Sequence, residues 1–197
     1  MRIIAGRFRG RRLGVVRGAM RPTADRVREA VFNILGPGLE GVRVLDLFAG
    51  TGALGIEALS RGAREAIFVE HSSTSLQVLR NNLASCDLLA TTQVLPLAVP
   101  RALKQLAAQK QQFELIFLDP PYGQGLAAQT LELLAQSPLL SSEVRIVVEH
   151  GRHDPLPALC HSLIQVDQRR YGDTLISFYT WVRTADLSQA GNKEHRD

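Results

Sequence analysis

The sequence predicts an α/β fold, a three-layer sandwich in which helices cover both faces of a mostly parallel seven-stranded sheet. Between residues 42 and 149, short apolar runs alternate with segments of helical periodicity. The runs are nearly continuous in apolar residues, which indicates strands that are buried on both faces. Two more apolar runs within residues 162–182 flank Gly172-Asp173, and they predict a closing antiparallel hairpin.

The individual elements follow from local patterns. Residues 2–17 alternate apolar side chains with arginines and glycines, which predicts a small basic β-hairpin. A helix with one apolar stripe follows, capped by Thr23 or Asp25 and ended by Gly36-Pro37-Gly38. The parallel strands are predicted at 42–48, 65–70, 91–97, 114–119 and 143–149, with helices at about 53–61, 73–84, 99–110 and 125–136.

These elements predict an N-terminal basic extension (1–38), a main domain (39–183) and a polar C-terminal tail (184–197). No apolar run approaches the roughly 20 residues that span a bilayer, and the first residues lack the apolar segment of a secretory signal. The two cysteines lie far apart, and neither they nor the five histidines have metal-ligand spacing. We therefore expect a cytoplasmic monomer with reduced thiols, no metal and no membrane partner.

Positive charge is concentrated at the N-terminus. Residues 1–28 contain nine arginines and one acid, whereas the whole chain has a formal charge of +4. Such a run is usually a solvated face, but a nearly pure arginine set interleaved with apolar residues indicates a phosphate-binding surface. We expect this segment to contact nucleic acid, through Arg7, Arg9, Arg11 and Arg12.

The stretch V-L-D-L-F-A-G-T-G-A-L-G (44–55) predicts a cofactor site, because it joins a strand, a glycine loop and a helix. Glycines allow the backbone to approach a ligand closely, and the helix start presents free N–H groups and the positive end of a dipole. The spacing of Gly50, Gly52 and Gly55 fits either a dinucleotide or S-adenosylmethionine.

Acidic residues stand at or near the ends of four predicted parallel strands, where ligands of such sheets bind: Asp46, Glu70, Asp119 and Glu149. We interpret Glu149, taken alone, as a solubilising acid. Glu70 is spaced to bind a ribose diol with either cofactor. Asp46 would repel a pyrophosphate but suits a sulfonium and an α-amino group, which favours S-adenosylmethionine.

The sequence D-P-P-Y, Asp119 to Tyr122, is the most specific signal for chemistry. Pro120 and Pro121 stiffen the loop, so the Asp119 carboxylate and a proline carbonyl can converge on one point. Two acceptors at one point suit an exocyclic amine, which has two protons to donate, and Tyr122 could stack on its planar base. A plain Pro-Pro turn is the alternative. We predict that Asp119, Pro120, Pro121 and Tyr122 form the catalytic loop.

These features resemble the RsmD family of bacterial 16S rRNA guanine-N2 methyltransferases. The resemblance runs from about Arg2 to Tyr179 and rests on segments 21–35, 45–63, 119–122, 148–150 (V-E-H) and 171–174 (Y-G-D-T). It implies the Rossmann-like class I fold of S-adenosylmethionine-dependent methyltransferases with an RNA-contacting N-terminal extension. It also implies methylation of one guanine in 16S rRNA or in a small-subunit assembly particle.

The resemblance implies residue roles as well. Arg21, Thr23 and Arg26 would lie near the mouth of the site. Where many relatives have Asp or Asn for the adenine of the cofactor, this chain has Leu97, so we expect apolar packing and backbone groups of Leu97 and Ala98 instead. Glu57, on the helix after the glycine loop, is expected to face solvent or to cap a local pair. The other candidate cofactor-binding residues are Asp46, Phe48, Ala49, Gly50, Thr51, Gly52, Glu70 and His71.

The residues leave other functions open. D-P-P-Y also fits adenine-N6 methylation of DNA or RNA, and the related N-P-P-Y fits glutamine methylation of protein. An inactive RNA-binding assembly factor is a further alternative, and a nicotinamide oxidoreductase the most distant. The basic arm favours nucleic acid, the lack of a sizeable target-recognition domain disfavours a sequence-specific DNA enzyme, and the intact cofactor and D-P-P-Y residues disfavour an inactive protein.

Overall fold

A computed structural model describes residues 1–16 and 22–183, with the side chains of residues 22–24 left aside. Arg21 and the predicted tail (184–197) lie outside the described residues. The helices are α1 (Pro22–Leu35), α2 (Ala53–Ser60), α3 (Ser73–Ser85), α4 (Val99–Ala108) and α5 (Leu126–Ala135), with one 3₁₀ turn at Leu89–Thr91. The strands are β1 (Arg43–Leu47), β2 (Glu65–Val69), β3 (Thr92–Leu95), β4 (Phe113–Leu118), β5 (Leu140–Gly151), β6 (Leu159–Cys160), β7 (Leu163–Tyr171) and β8 (Thr174–Trp181).

The eight strands form one sheet in the order β3-β2-β1-β4-β5-β8-β7-β6. Neighbours among β1 to β5 pair in parallel, and β8, β7 and β6 add antiparallel pairs. This arrangement confirms the predicted α/β fold with its C-terminal antiparallel hairpin. The eighth strand, β6, was not separated in the sequence because two residues carry no readable periodicity. Strand order reverses between β1 and β4, which is where ligands bind in open parallel sheets.

Both faces of the sheet are buried, as the near-continuous apolar strands predicted. Along β4, Leu115 and Phe117 belong to one buried cluster, and the alternating residues Ile116 and Leu118 belong to the other. The first cluster includes side chains of α1, α2 and α3, and the second includes side chains of α4 and α5. In the described ranges, no helix is both long and apolar enough to cross a membrane.

The N-terminal segment (residues 1–16) is less regular than the predicted hairpin. A single antiparallel bridge joins Arg2 to Arg12. Backbone hydrogen bonds beside this bridge run from Ile3 to Arg11 and from Leu13 to Met1. The middle of the segment bonds to α2 instead: the N–H groups of Ile4 and Ala5 donate to the Glu57 carboxylate. The N–H of Arg7 donates to the Ser60 carbonyl over 2.7 Å. Ile3, Phe8 and Leu13 are buried in the cluster that also contains α1. The segment therefore packs into the core on the α2 side of the sheet.

Candidate functional site

A cavity of about 600 Å³ opens where β1, β4 and β5 end. This volume lies within the range of small-molecule sites. The sheet side of the cavity carries three carboxylates, and the opposite wall comes from the N-terminal segment and α1. The lining residues from the sheet side are Asp46, Phe48, Ala49, Gly50, Thr51, Ala53, Leu54, Ser75, Leu118, Asp119, Val147, Glu149 and Ile176.

The glycine loop between β1 and α2 is held in a constrained conformation. Gly52 has φ +80°, and a Cβ there would lie 2.4 Å from a Leu79 methyl carbon, so no larger residue fits without a shift. Phe48 has φ +62°, which is uncommon for an aromatic residue and is typical of functional sites. The N–H of Ala49 donates to the Val69 carbonyl over 2.9 Å. These constraints present the backbone of residues 48–51 to the cavity.

Asp46 is a buried carboxylate on the cavity wall, with 2% of its surface exposed. One oxygen accepts a hydrogen bond from the backbone N–H of Gly55 over 2.9 Å. Burial raises the pKa of Asp46 to about 7, the bond from Gly55 opposes that rise, and the Glu70 charge adds to it. A cation in the cavity would favour the ionised form of this carboxylate.

Glu70 lies behind the glycine loop rather than in the wall of the cavity. Its carboxylate accepts three backbone hydrogen bonds, from Gly50 over 2.9 Å and from His71 and Ser72 over 2.7 Å each. These bonds tie the loop after β1 to the start of α3. The Glu70 carboxylate thus has hydrogen-bond partners within the protein. Its predicted contact with a ribose stays a prediction.

The ten predicted cofactor residues fall into two groups. Asp46, Phe48, Ala49, Gly50 and Thr51 line the cavity. The remaining five, Gly52, Glu70, His71, Leu97 and Ala98, are not among its lining residues. Of these, Leu97 packs against the buried cluster on the α4 side, and the His71 side chain is mostly exposed.

The D-P-P-Y loop reaches the cavity through its first residue. Asp119 follows the buried Leu118 and lies exposed on the cavity wall. Pro120 is buried and Pro121 is exposed. Tyr122 is not among the lining residues of this cavity, and its hydroxyl donates to Glu149 Oε1 over 2.7 Å. The predicted stacking of Tyr122 on a base therefore has no support in this arrangement and stays a prediction.

Glu149 is a cavity residue that the sequence placed among the strand-end acids but not among the candidate site residues. It is half-buried near the end of β5, in register with Ile176 of β8, and both residues line the cavity. The interpretation of Glu149 as a solubilising acid is therefore wrong. The segment V-E-H, which contributed to the family resemblance, contained the signal that could have found it.

The opposite wall of the cavity is largely apolar. It consists of Met1, Val15, Val16, Asp25, Val27, Arg28 and Val31. Nothing in the sequence marked these valines as site residues, because their apolar spacing is that of an ordinary buried stripe. Arg28 is buried, and its guanidinium donates to the Arg2 carbonyl over 2.6 Å and to the Asp25 carboxylate over 3.1 Å. Burial lowers its pKa below the ordinary value for arginine.

The predicted substrate-binding arginines lie on the protein surface. Arg7, Arg9, Arg11 and Arg12 are all exposed on the N-terminal segment. The guanidinium groups of Arg7 and Arg11 lie 5.1 and 5.4 Å from the centre of the Phe8 ring. Arg26 is exposed on α1 and is not part of the cavity wall. Thr23 belongs to α1, and its side chain lies outside the described residues.

Glu57 holds the N-terminal segment against α2. Only 1% of its surface is exposed. Its carboxylate accepts hydrogen bonds from the backbone N–H groups of Ile4 over 2.8 Å and Ala5 over 3.0 Å, and from Arg61 over 2.8 Å. The expectation that Glu57 faces solvent is wrong, whereas the expected local pair exists, with Arg61 four residues on. The two backbone partners of Glu57 are 52 and 53 residues away in sequence.

The sheet order, with the glycine loop and Asp119 of the D-P-P-Y loop on one cavity, defines the class: the chain is a methyltransferase with the Rossmann-like fold. Within this class, the chain belongs to the family described as conserved hypothetical protein 95, whose model matches residues 1–180. The resemblance to the RsmD family is thereby confirmed.

The chain is similar to curated bacterial proteins over most of its length. YlbH of Bacillus subtilis (strain 168), which carries a provisional rRNA methyltransferase name, is 41% identical over 91% of this chain and 98% of the relative. Ribosomal RNA small subunit methyltransferase D of Escherichia coli (strain K12) is 39% identical over 81% of this chain and 79% of the relative. The solved structure of yhhF from Escherichia coli has a TM-score of 0.80 at 37% identity, over 92% of this chain and 97% of that one.

Proposed function

We propose that this protein transfers a methyl group from S-adenosylmethionine to the exocyclic N2 amine of one guanine in 16S rRNA. The observation that carries the proposal is that Asp119 of the D-P-P-Y loop and Asp46 beside the glycine loop line one cavity. The methyl group and the amine that receives it must meet at one point. Asp119 can accept hydrogen bonds from the amine, and Asp46 of β1 can bind the cationic part of the methyl donor. The name of the Escherichia coli relative, a small-subunit rRNA methyltransferase, supports the same substrate class.

The residues of the cavity fit S-adenosylmethionine. A buried carboxylate next to a glycine loop suits a ligand that carries a sulfonium and an α-amino group, since both are cations. The backbone of Phe48, Ala49, Gly50 and Thr51 would bind the rest of the ligand, behind which Glu70 holds the loop in place. When bound, the cofactor supplies an electrophilic methyl group on sulfur.

Asp119 would act on the amine that receives the methyl group. The guanine amine is a weak nucleophile because its lone pair is delocalised into the ring. The Asp119 carboxylate and a carbonyl of the proline loop would accept its two N–H hydrogen bonds, which favours a pyramidal nitrogen and fixes its direction. Asp119 would also lie next to the proton that the amine loses during or after attack.

The exposed arginines of the N-terminal segment would bind the RNA backbone. This segment forms one wall of the cavity through Val15 and Val16, so an RNA bound on its outer face would be close to the site mouth. Phosphate contacts fix the position of a nucleic acid on a protein without reading its sequence. The arm would therefore position the RNA, and the cavity would select the base.

Mass mapping of small-subunit rRNA from cells with and without the gene tests the proposal. We expect one guanine N2-methyl group to be missing without the gene and to return with the wild-type gene. A missing adenine methyl group, or unchanged guanine methylation, would contradict the proposal.

Asp119→Ala tests the proposed catalytic role separately. We expect kcat to fall by about 10²-fold or more, since one positioned group of this kind contributes that much, while the cofactor dissociation constant stays within about twofold. Glu143→Ala, an exposed acid on β5, is the matched control. Full activity of the Asp119 variant would remove the residue from the catalytic loop.

A further inference from the structure

Two carboxylates from different strands face the part of the cavity where the amine would react. Asp119 follows β4, Glu149 lies on the neighbouring strand β5, and both line the cavity. Leu118 pairs with Val148 in the parallel register of β4 and β5, so Asp119 and Glu149 follow side by side on the two strands. Burial raises the pKa of the Tyr122 hydroxyl above its ordinary value, a hydrogen bond with Thr174 opposes this, and the Glu149 and Asp119 charges raise it further.

Tyr122 fixes the position of Glu149. Its hydroxyl donates to Glu149 Oε1 over 2.7 Å and lies 3.1 Å from the Thr174 hydroxyl. A carboxylate has about four lone-pair positions, so Glu149 can accept another hydrogen bond while it keeps the bond from Tyr122. An ionised carboxylate that is held in this way is an acceptor only.

The Watson–Crick edges of the bases differ in what they offer to such an acceptor. Guanine presents N1–H next to its N2 amine, so two donors lie side by side. Adenine presents an N1 lone pair next to its N6 amine, so an acceptor lies beside the donor. Two neighbouring carboxylates can accept hydrogen bonds from both donors of guanine. With adenine, one of the carboxylates would face the N1 lone pair and repel it.

We propose that Glu149 accepts a hydrogen bond from N1–H of the target guanine while Asp119 accepts from its N2 amine, which makes Glu149 the residue that selects guanine over adenine. This inference rests on the proposed function, because it requires a purine amine as the methyl acceptor. Tyr122 is a positioning residue in this arrangement, since it orients Glu149 rather than stacking on the base.

The energetic consequence follows from replacing an N–H donor, which the Glu149 carboxylate would accept, by a lone pair that the carboxylate repels. A site that is built to bind an N–H group rejects an analogue without it strongly, by 10⁴-fold or more in favourable cases. Here the rejected analogue would also place a lone pair against a carboxylate. We expect the wild-type enzyme to lose about 10²-fold or more in kcat/KM when only the N1–H donor is replaced by an acceptor.

The test uses a ligated 16S rRNA in which the mapped target guanine is replaced by 2-aminopurine. This base keeps the reactive amine but has a lone pair at N1. A Glu149→Gln variant can donate its amide N–H to that lone pair. The measured quantity is kcat/KM for guanine divided by kcat/KM for 2-aminopurine. In the variant this ratio should be at least tenfold lower than in the wild type. Because 2-aminopurine also lacks the guanine O6, only the comparison between enzymes is used.

Two further variants make the result specific. Glu143→Gln removes an exposed carboxylate from the same strand and should keep the wild-type ratio. Tyr122→Phe removes the hydroxyl that orients Glu149 and should lower the ratio by a smaller factor. The cofactor dissociation constant of Glu149→Gln, measured by calorimetry, should stay within about twofold of wild type, since the proposal places Glu149 on the base.

The possible failures are distinguishable. A wild-type enzyme that does not methylate the guanine transcript would overturn the proposed function itself. A wild-type enzyme that methylates guanine, with a Glu149→Gln variant that keeps the wild-type ratio, would overturn the role of Glu149 alone.

Discussion

Asn82 of α3 accepts a hydrogen bond from the backbone N–H of Gly14 over 2.7 Å, and its amide donates back to the Gly14 carbonyl over 3.1 Å. The same amide donates to the carbonyl of Thr51 in the glycine loop over 2.9 Å. Only 3% of Asn82 is exposed. One buried side chain thus joins the N-terminal segment, directly before its cavity residues, to the glycine loop, which lines the same cavity.

Asn82→Ala should destabilise the protein and weaken cofactor binding together. The change removes three part-buried hydrogen bonds to the backbone of Gly14 and Thr51, each of which contributes about 0.5–1.5 kcal/mol. We expect the free energy of unfolding to fall by about 2–4 kcal/mol and the cofactor dissociation constant to rise several-fold. Urea titration and calorimetry measure the two effects.

The neighbouring residue supplies the control for Asn82. Asn81 is exposed, and its amide oxygen accepts from Gln77 on the same helix. Asn81→Ala should leave stability and cofactor affinity nearly unchanged. Asn82→Asp keeps the acceptor for the Gly14 N–H but turns both donors into acceptors, so it should not rescue binding. If Asn82→Ala lowers stability alone, Asn82 does not position the glycine loop.

Cofactor affinity should depend on pH through Asp46. Since the pKa of this carboxylate is raised to about 7 in the folded protein, it is ionised above that value and neutral below it. A cationic ligand should therefore bind more weakly as pH falls from 8 to 5.5, with the dissociation constant rising at most about tenfold per pH unit below 7. Calorimetry across this range measures the change, and Asp46→Asn should remove most of the dependence.

Asp46 should also lower the stability of the protein without its cofactor at neutral pH. A carboxyl whose pKa is raised in the folded state is neutral in both states only well below the ordinary pKa of 3.8, so it does not alter stability there. The free-energy cost of burying the ionised carboxylate appears as pH rises above the pKa that Asp46 has in the unfolded state, and it is complete above pH 7. Asp46→Asn should therefore be more stable than wild type at pH 8, and the difference should shrink toward pH 4 in thermal melts. A variant that is destabilised equally at every pH would contradict this.

The arginines of the N-terminal segment should control the salt dependence of RNA binding. Replacing Arg7, Arg9, Arg11 and Arg12 by alanine should weaken binding and reduce the slope of log K against log salt by up to about 3, since each phosphate contact contributes about 0.7–0.9. Filter binding at several salt concentrations gives the slope, and cofactor affinity should not change.

A charge-matched control separates local contact from net charge. Arg64, Arg101, Lys104 and Lys110 are exposed outside the N-terminal segment, and three of them lie on or directly after α4. Their replacement removes the same formal charge. If both variants reduce the slope of log K against log salt equally, the arginines act only through the net charge of the protein and not through local phosphate contacts.

The fold was predictable because its signals are local. Alternation of apolar runs and helical periods identified all five parallel strands and the closing hairpin, and the glycine and proline loops carry spacing that depends on a few adjacent residues. Asp46 and Asp119 could be placed at one edge because parallel strands that run in one direction end together.

The rest of the site depends on contacts that are distant in sequence. Glu149 reads as an ordinary surface acid until β5 brings it beside the D-P-P-Y loop. Glu57 reads as an exposed helical residue until the N-terminal segment folds over it. Val15 and Val16 line the cavity next to Gly14, which binds Asn82, 68 residues away in sequence. Such partners share no period or spacing that one sequence could reveal.

Two glycines of the N-terminal segment allow a test of how the segment is bound to α2. Gly6 and Gly10 have nearly the same φ, +81° and +83°. A Cβ at Gly6 would lie 1.8 Å from the Ser60 carbonyl oxygen, whereas a Cβ at Gly10 would meet nothing within 4 Å. Alanine at either position carries the same conformational cost of about 1–2 kcal/mol, but only Gly6→Ala must separate the segment from α2.

Gly6→Ala should therefore lose clearly more stability than Gly10→Ala. The shift would break the hydrogen bonds from Arg7 N–H to the Ser60 carbonyl and from Phe8 N–H to the Ser60 hydroxyl, so we expect an additional loss of about 2 kcal/mol or more in the free energy of unfolding. Cofactor affinity should fall in Gly6→Ala alone, because the displaced segment carries Val15 and Val16 of the cavity wall. Equal losses of stability in the two variants would show that the N-terminal segment does not pack on α2 in solution, and the cavity would then lack the wall that the arm provides.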